Sequence, residues 1–469
     1  MRGGADVTQP TFVVDSRGAK YQLGKCLGEG GQGAVYAVQG GRLAAKVLAA
    51  GSKTDPKRLE RQLQFLRTLD LAGIPIAQPE AVLASPNAGY IMRLLTDMSS
   101  LKQLMVPPSG TASLRRWYLD TGGLRRRLKV CGRAATALAM LHAKGLCYGD
   151  VSPANIFVST VTTSDTVYLI DADNVRYESS PNNQPVYTPG YGAPEVVARR
   201  GFVSTLTDAH GLAVVAFATL VLVHPLQGDL VEEGDPDQEE RALCGLLPWI
   251  DHPTDPANRS SRGIRERDVV LSGNLRHLAS QAFGDGLSDP RKRPSASEWA
   301  EALERASRNC LVCPNCKATF YRTAESCPWC STPRSPFLYG RLRIWDPALN
   351  DKTGGYVIGP DKHDQVVDSF ALAAGDQMLI DQRLAAGHSH GHAASALLAV
   401  SFTGKGVDIQ RRAPEAVLEL RKPPRRHALT DAPVTLKADG DLPQTTIHLG
   451  PSDQLHRVLD LWLMGGKKS

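Results

Sequence analysis

A glycine-rich segment followed by a lysine forms the first group of residues that could act on a ligand. Residues 28–35 read GEGGQGAV, and Lys46 follows in the segment LAAKV. Glycines let the backbone come close to phosphate groups, and an ammonium can then pair with those phosphates. The spacing alone also fits a dinucleotide-binding turn or a glycine-rich hairpin with a surface lysine. The segment lies between two predicted strands, 21–27 and 35–39, which favours a loop that covers the phosphates of a nucleotide.

An acid on the helix that follows is the next candidate. Asp55 and Pro56 indicate a helix start, because a carboxylate caps the first turn and proline is tolerated at the first helical position. Leucines give this helix an apolar face at Leu59, Leu63, Leu66 and Leu69. Glu60 is the only acid in the helix, so we predict that its carboxylate holds Lys46. The alternative is a glutamate that faces solvent.

Two aspartates and an asparagine form the third group. Asp150 and Asn155 lie in the segment DVSPAN, and Asp171 follows the apolar run YLI. Phosphoryl transfer requires an aligned nucleophile and cations over the developing charge, and oxygen ligands of this kind suit magnesium. The alternative is that both aspartates only occupy turns after strands. Their position downstream of the glycine-rich segment and the lysine favours phosphoryl transfer.

Together these segments resemble the ATP-binding and catalytic motifs of protein kinases. Residues 28–35 resemble GxGxxGxV, residues 148–155 resemble HRDxKxxN, and residues 171–173 occupy the place of DFG. The resemblance implies that Lys46 and Glu60 hold ATP and that Asp150 accepts or orients the proton of a substrate hydroxyl. It also implies that Asn155 and Asp171 bind magnesium. Nucleotide contacts are implied at Gly28, Glu29, Gly30, Gly31, Gly33, Val35, Ala44, Lys46, Ile91, Met92, Arg93, Leu94 and Ile170, with residues 91–95 as the adenine hinge.

Five residues depart from those motifs. Tyr148 and Gly149 replace the histidine and arginine of HRD, and Ser152 replaces the lysine. Ala172 and Asp173 replace the phenylalanine and glycine of DFG. Without the lysine, one cation near the γ-phosphate is missing. Two alternatives therefore stay open, which are an ATP-binding pseudokinase scaffold and a small-molecule phosphotransferase of the aminoglycoside or choline kinase type.

The segment TPGYGAPE, residues 188–195, bears on the substrate. It resembles the end of the activation segment of Ser/Thr protein kinases, which implies that Thr188 lies beside Asp150 and helps to hold a substrate serine or threonine. The resemblance also implies an ion pair between Glu195 and Arg293 of the segment DPRKRP. Small-molecule kinases lack these two motifs. The resemblance covers about residues 21–305 and favours an atypical bacterial eukaryotic-like Ser/Thr protein kinase acting on proteins.

Four of the nine cysteines form two CPxC pairs. The four are Cys313, Cys316, Cys327 and Cys330. Two thiolates from each of two tight turns make a closed tetrahedral zinc site, and so small a unit folds around its metal. Cys310 is an alternative ligand, but the repeated CPxC form favours the other four. We predict a structural zinc ribbon.

The pattern of predicted elements indicates an α+β protein with a bilobal protein-kinase-like fold, a zinc ribbon and a mainly β accessory domain. The predicted divisions are a lead-in over residues 1–20, an N-lobe over 21–96, a C-lobe over 97–308, the ribbon over 310–333 and the accessory domain over 336–469. A cluster of three histidines in the accessory domain, HSHGH at residues 388–392, is more typical of a solvated loop than of a metal site.

Composition limits the function classes. The net charge of +6 is too small to indicate a nucleic-acid partner, and the longest apolar run, residues 212–223, is too short for a membrane span. The first residues lack the pattern of a secretory signal, and CPxC pairs favour a reducing compartment, so we predict a cytoplasmic location. The resemblance further implies von Willebrand A-type proteins and a metal-dependent phosphatase as partners.

Overall fold

The N-terminal part of the chain is built on one antiparallel sheet. The structure is a computed structural model that describes residues 11–30, 33–49, 56–179, 187–350, 366–387, 395–414, 417–422, 425–437, 442, 445–451 and 453–465. The strands of this sheet are β1 (Phe12–Val14), β2 (Lys20–Gly30), β3 (Gly33–Val38), β4 (Leu43–Leu48), β5 (Pro79–Val82) and β6 (Gly89–Arg93). Their order is β1-β2-β3-β4-β6-β5, so part of the predicted lead-in pairs with β2 as an edge strand.

The central position of β4 fixes where Lys46 lies. A tight turn with positive φ at Gly40 and Gly41 connects β3 to β4, as the sequence indicates. On the other side, Lys46 pairs with Tyr90 of β6. A Cβ atom at Gly89 would overlap the backbone oxygen of Lys46, and its φ of +146° disfavours other residues. Gly89 therefore lets β6 approach the strand that carries the lysine.

One helix packs beside this sheet. Helix α1 (Pro56–Leu66) begins at the predicted proline, whereas the predicted cap Asp55 lies outside the described residues. Leu59, Leu63 and Leu66 are buried and form the predicted apolar face. Leu69 lies beyond the end of the helix. The helix therefore packs its leucines against the core, and other residues of the helix flank this leucine stripe on either side.

The second lobe is mainly helical. Its helices are α2 (Leu114–Asp120), α3 (Gly123–His142), α4 (Pro194–Val197), α5 (Thr205–Val221), α6 (Asp229–Glu232), α7 (Pro236–Leu243), α8 (Arg267–Val270), α9 (Gly273–Phe283), α10 (Asp285–Ser288) and α11 (Ala296–Arg308). Short strands carry the loops of interest: β7 (Met98–Ser100), β8 (Leu146–Cys147), β9 (Ile156–Ser159), β10 (Val167–Leu169) and β11 (Arg176–Tyr177). Helices α3, α5 and α11 bury apolar faces in one core, and capping boxes begin α5 at Ser204 and α11 at Ser295.

A buried ion pair closes the C-lobe. Arg293 donates from both terminal nitrogens to Glu195, with Nη1 to Oε1 at 2.8 Å and Nη2 to Oε2 at 2.7 Å. The arginine side chain is 0% exposed, and its Nε donates to the backbone oxygen of Gly286 at 2.7 Å. The predicted pairing of Glu195 with Arg293 is therefore confirmed. Bidentate geometry of this kind orients the helix that follows TPGYGA against the end of the lobe.

A small two-stranded unit follows α11 and is packed against the C-lobe. Its strands are β12 (Cys310–Val312) and β13 (Thr319–Tyr321). Trp329 stacks on Tyr118 of α2 with ring centroids 5.4 Å apart. The ring centroid of Tyr118 also lies 3.9 Å from the guanidinium of Arg127, a buried arginine whose donors reach backbone oxygens such as that of Leu104 at 3.0 Å. Trp329 is therefore an internal contact between the ribbon and the C-lobe.

The last part of the chain is strand-rich, as predicted. Its elements are β14 (Phe337–Trp345), α12 (Pro347–Asn350), β15 (Val366–Leu372), β16 (Gln377–Asp381), α13 (Gln382–Ala386), β17 (Ala396–Phe402), β18 (Gly406–Arg411), β19 (Glu419–Lys422), β20 (Arg425–Ala428), β21 (Val434–Lys437), β22 (Thr446–His448) and β23 (His456–Met464). In the described ranges they form two sheets, ordered β15-β14-β23-β22-β19-β20 and β16-β17-β18-β21. Apolar side chains from both sheets share one core, including Leu342, Val400 and Leu459.

Direct contacts join this accessory domain to the rest of the protein. Arg308 of α11 pairs with Asp368 of β15 at 2.6 Å, and Asn309 Nδ2 donates to the backbone oxygen of Ser369 at 2.8 Å. The histidines of HSHGH lie outside the described residues. Among the helices that the structure describes, none is both long and apolar enough to span a bilayer.

The buried ion pair gives a first prediction. Replacing Arg293 by Met leaves the Glu195 carboxylate without its bidentate partner, and we expect a loss of about 3 kcal/mol or more in the free energy of unfolding. Arg291→Met is the matched control, because Arg291 lies in the same segment, is 84% exposed and forms a surface ion pair with Asp289. Chemical denaturation of both variants measures the difference. Equal stability of the two variants would contradict the prediction.

Candidate active site

Lys46 is the charged residue at the centre of the candidate site. Its side chain is 6% exposed, and its ammonium lies 3.0 Å from Asp171 Oδ1 and 3.4 Å from Asp173 Oδ2. Burial acts to lower the pKa of Lys46, but the carboxylates of Asp173 and Asp171 outweigh it and the pKa is raised. The lysine is therefore a cation at neutral pH. The structure brings Lys46 and Asp171 together across 125 positions of sequence.

Asp173 is a partner of Lys46 that the sequence reasoning did not assign. It lies in a 3-10 turn, Ala172–Asn174, directly after Asp171, whose backbone is left-handed with φ of 54°. The Asp173 side chain is 11% exposed, and its Oδ1 atom has no hydrogen-bond partner among the described residues. Burial raises the pKa of Asp173, Lys46 opposes the rise and Asp171 adds to it. A second acid two positions after Asp171, in place of the motif's glycine, was the available signal.

The predicted pairing of Glu60 with Lys46 is not formed. Glu60 is exposed, and Gln64 donates to its Oε1 atom at 3.4 Å. On the opposite rim of the leucine stripe, Gln62 Nε2 donates to the backbone oxygen of Val175 at 2.5 Å. Packing of the leucine stripe against the core fixes the rotation of α1 about its axis, and this rotation decides where the residues beside the stripe point. That seating turns Gln62 toward the segment after Asp171 and Glu60 toward solvent.

The carboxylate of Asp150 is held from two sides. Thr188 donates to Asp150 Oδ1 through its backbone N–H at 2.7 Å and its hydroxyl at 2.8 Å. Asn155 Nδ2 donates to Asp150 Oδ2 at 2.9 Å and to the backbone oxygen of Asp150 at 3.0 Å. Because the amide nitrogen is engaged, the amide oxygen of Asn155 is available as a metal ligand. The structure therefore places Asp150, Asn155 and Thr188 in one hydrogen-bonded group.

Asp208 anchors the loop that carries Asp150. Its buried carboxylate accepts hydrogen bonds from the backbone N–H groups of Tyr148 at 2.6 Å and Gly149 at 2.9 Å. His142 Nε2 lies 3.1 Å from the same carboxylate. A carboxylate that receives backbone N–H groups directly holds the loop in one conformation. Asp208, at the start of α5, therefore positions the loop that carries Asp150 through its backbone.

Tyr148 connects the two acidic segments. The tyrosine is fully buried, and its hydroxyl donates to the backbone oxygen of Ile170 and lies 3.4 Å from that of Asn155. The backbone N–H of Ile170 in turn donates to the backbone oxygen of Asn155 at 3.0 Å. Burial raises the pKa of Tyr148 well above its usual value, so the phenol acts as a donor. The residue that replaces the motif's histidine thus links Asn155 to the residue before Asp171.

The other predicted nucleotide contacts lie on the N-lobe sheet. Gly28, Glu29 and Gly30 end β2 and pair with Val35, Ala34 and Gly33 of β3, while Gly31 lies outside the described residues. Ala44 of β4 pairs with Met92 of β6, between Ile91 and Arg93. Leu94 follows β6, and its N–H donates to the backbone oxygen of Arg42 at 2.9 Å. The predicted hinge is therefore the end of the strand beside the one that carries Lys46.

A separate cluster of thiols forms a candidate metal centre in the ribbon. The sulfur atoms of Cys313, Cys316, Cys327 and Cys330 all lie within 4.8 Å of one another. Tetrahedral zinc with Zn–S bonds of about 2.3 Å places its sulfurs about 3.8 Å apart, and two of the sulfur pairs are at 3.5 and 3.6 Å. Cys310 is outside the cluster, and its sulfur donates to the backbone oxygen of Ala306.

The two turns of the thiol cluster share one backbone geometry. Lys317 N–H donates to the backbone oxygen of Cys313 at 3.1 Å, and Ser331 N–H donates to that of Cys327 at 2.8 Å. Both Lys317 and Ser331 have positive φ, at 60° and 58°. Each turn thereby presents its two sulfurs to the same point, which suits a single tetrahedral ion.

Comparison with known proteins agrees with this geometry. The family model described as the protein kinase domain matches residues 21–303. Serine/threonine-protein kinase PknB of Mycolicibacterium smegmatis is 27% identical over 238 residues, which are 48% of this chain and 35% of that relative. PknD of Mycobacterium tuberculosis is 30% identical over 228 residues, 47% of this chain and 32% of the relative. CBL-interacting protein kinase 4 of Oryza sativa is 29% identical over 212 residues, 43% of this chain and 44% of the relative. The chain thus spans less than half the length of these relatives.

Proposed function

This chain belongs to the protein kinase family, and we propose that it transfers the γ-phosphate of ATP to serine or threonine hydroxyls of protein substrates. The observation that carries the proposal is the 3.0 Å contact between the ammonium of Lys46 and the carboxylate of Asp171. These two residues come from different lobes, and their contact brings a phosphate-binding cation to a metal-binding acid. In protein kinases the lysine pairs with the α- and β-phosphates and the aspartate holds magnesium, so both groups belong to one ATP site.

The proposed ATP site uses the residues that surround this contact. The ends of β2 and β3 cover the phosphates, Lys46 pairs with them, and the end of β6 meets the adenine. Asp171 and Asn155 offer a carboxylate and an amide oxygen, which are ligands that magnesium prefers. Bound magnesium would neutralise the negative charge that develops on the transferred phosphoryl group.

The proposed acceptor site is the carboxylate of Asp150. Thr188 and Asn155 fix its orientation with hydrogen bonds of 2.7 to 2.9 Å. A carboxylate has about four lone-pair positions, so one stays available for a substrate hydroxyl. Asp150 would accept or orient that proton, and Thr188 would help to hold the serine or threonine. The segment 188–195, closed by the pair of Glu195 with Arg293, supports a protein as the acceptor.

A pseudokinase scaffold is the second candidate, and one observation favours it. Ser152 takes the place of the lysine that neutralises the γ-phosphate, and it is fully buried with no hydrogen-bond partner for its hydroxyl among the described residues. Its side chain supplies no cation. A small-molecule phosphotransferase is the third candidate, and the similarity to protein kinases favours it less. The retained Asp150, Asn155 and Asp171 favour catalysis.

We further propose that the four thiolates of the ribbon bind zinc in a structural role. All four ligand positions are protein sulfurs, so the site has no open position for catalysis. Three other parts of the proposal rest on sequence resemblance and composition: von Willebrand A-type proteins and a metal-dependent phosphatase as partners, and a cytoplasmic location. They stay predictions.

Phosphotransfer itself is tested with purified protein and radiolabelled ATP in magnesium and in manganese. We expect label on the protein or on an added protein substrate, and we expect Asp150→Asn and Asp171→Ala each to lower the rate by about 100-fold or more. Asp70→Asn is the control, since Asp70 is an exposed aspartate whose carboxylate contacts Lys144 and the backbone N–H of Ala72. ATP binding without any transfer would establish the scaffold instead, and transfer only to an added sugar or amine would establish the small-molecule enzyme.

The anchor of Lys46 is tested by a pair of substitutions. Asp173→Asn removes a buried charge-assisted contact to the ammonium, so we expect a roughly tenfold to hundredfold lower rate of phosphotransfer. Glu60→Gln is the matched control and should stay within about twofold of the wild type, because its carboxylate faces solvent. Thermal unfolding checks that both variants fold. The reverse order of effects would show that α1, rather than the 3-10 turn, supplies the acid during turnover.

Zinc is tested by elemental analysis of the purified protein. We expect about one zinc ion per chain, lost in Cys327→Ser and retained in Cys310→Ser, whose sulfur is buried outside the cluster. A strong chelator should lower the unfolding temperature of the wild-type protein, since metal binding contributes to folding. Metal-free wild-type protein, or equal zinc loss in both variants, would refute the assignment.

A further inference from the structure

A cleft of about 440 Å³ separates the C-lobe from the accessory domain. On the kinase side it is lined by the end of α3 and by α11, including His142, Glu301 and Arg305. On the accessory side it is lined by β15, α13 and β23, including Asp368, Arg383 and Arg457. Its size is in the range of sites that hold small molecules. None of its lining residues belongs to the strands that carry the glycine-rich loop and Lys46.

The cleft carries more positive than negative charge. Arg305, Arg383 and Arg457 contribute three guanidinium groups to its walls. Of the two acids, Asp368 lies between two arginines, with Oδ2 2.6 Å from Arg308 Nη2 and Oδ1 3.7 Å from Arg305 Nε. Neither Arg383 nor Arg457 forms an ion pair with any residue that the structure describes. Glu301 is the remaining acid of the lining, so Arg383 and Arg457 together exceed it by one positive charge.

Contacts within the cleft leave donors available. Arg457 Nη1 donates to the backbone oxygens of Arg383 at 3.1 Å and Leu384 at 2.9 Å, which fixes the guanidinium without neutralising it. Arg305 Nη2 donates to the backbone oxygen of Val367 at 2.5 Å, and its buried Nε atom has no hydrogen-bond partner in the described ranges. Burial lowers the pKa of Arg457, the carboxylates of Asp368 and Glu301 oppose that change, and the charges of Arg383 and Arg305 add to it. Arg457 therefore lies in the field of two other cations, which the acids of the cleft offset in part.

We propose that this cleft is a binding site for a small molecule that carries an oxyanion, either a phosphate or a carboxylate group. Like charges gathered in a partly desolvated cleft are unfavourable without a counter-charge. Guanidinium groups match the planar oxygen geometry of carboxylates and phosphates. An oxyanion between Arg383 and Arg457 would accept hydrogen bonds from their free donors and balance the excess positive charge.

The position of the cleft connects such a ligand to the catalytic loop. His142 lines the cleft and contacts Asp208 through Nε2 at 3.1 Å. Asp208 holds the backbone N–H groups of Tyr148 and Gly149, which directly precede Asp150. One side chain therefore separates the cleft from the residue that positions the loop. The binding site itself does not depend on the proposed kinase activity.

The test uses the full chain and two probes, inorganic phosphate and malonate, in separate thermal-shift titrations at constant ionic strength. We expect a saturable rise in unfolding temperature with at least one probe, and the effective probe identifies the oxyanion class. Arg383→Met should weaken the apparent affinity by roughly tenfold, the loss of one charge-assisted hydrogen bond. Arg383→Lys, which keeps the charge, should restore part of it.

Two controls separate the cleft from other basic surfaces. Arg426→Met removes an exposed arginine of β20 outside the cleft and should titrate like the wild type. Lys46→Met removes the cation of the ATP site and should also keep the shift. No saturable shift with either probe, an unchanged titration of Arg383→Met, or loss of the shift in Lys46→Met would each overturn the proposal.

Discussion

An ammonium buried between two carboxylates is the interaction on which the candidate site depends. Lys46 belongs to a strand of the N-lobe, whereas Asp171 and Asp173 belong to the segment after β10 in the C-lobe. Charges that are removed from water are unfavourable unless they are paired, so this contact favours one relative placement of strand and segment. The rest of the site serves that placement: β3 and β6 hold the lysine from both sides, and the hydroxyl of Tyr148 holds the residue before Asp171.

The loop that carries Asp150 is supported in a different way, by Asp208 at its backbone and by Thr188 at the carboxylate of Asp150. Asp208 receives two consecutive N–H groups of the loop, and Thr188 reaches Asp150 through its own N–H as well as its hydroxyl. Backbone-directed bonds tolerate changes of side chain. This explains how the segment keeps its form although the motif's histidine and arginine are replaced by Tyr148 and Gly149. The replacement of the motif's histidine and arginine therefore changes the side chains around the loop more than its backbone conformation.

Residues whose partner is fixed by a motif could be predicted from the sequence. The resemblance to protein-kinase motifs implies that Lys46 and Asp171 share one site and that Glu195 pairs with Arg293. The CPxC spacing predicts the cluster of four cysteines. Glu60 shows where this reasoning fails. Its position on α1 was correct, but the rotation of a helix about its axis is decided by packing of the leucine stripe, which spacing does not reveal.

Other features required tertiary information from the start. The accessory domain was predicted as strand-rich, yet the order of its strands in two sheets depends on pairings between segments far apart in sequence. Asp173 was visible as a departure from a motif, but its role as a partner of Lys46 follows only from the distance between them. The cleft beside α11 likewise exists only because β15 and β23 pack near that helix.

The ribbon has apolar contacts on both of its sides. Trp329 stacks on Tyr118 of the C-lobe, and Phe320 shares a core with Tyr339 and Trp462 of the accessory domain. A chain cut at the last residue of α11 would therefore expose aromatic surface on the kinase itself. We expect that this ribbon cannot be exchanged with that of another kinase on its own. Each exchange would require matching substitutions in both the C-lobe and the accessory domain.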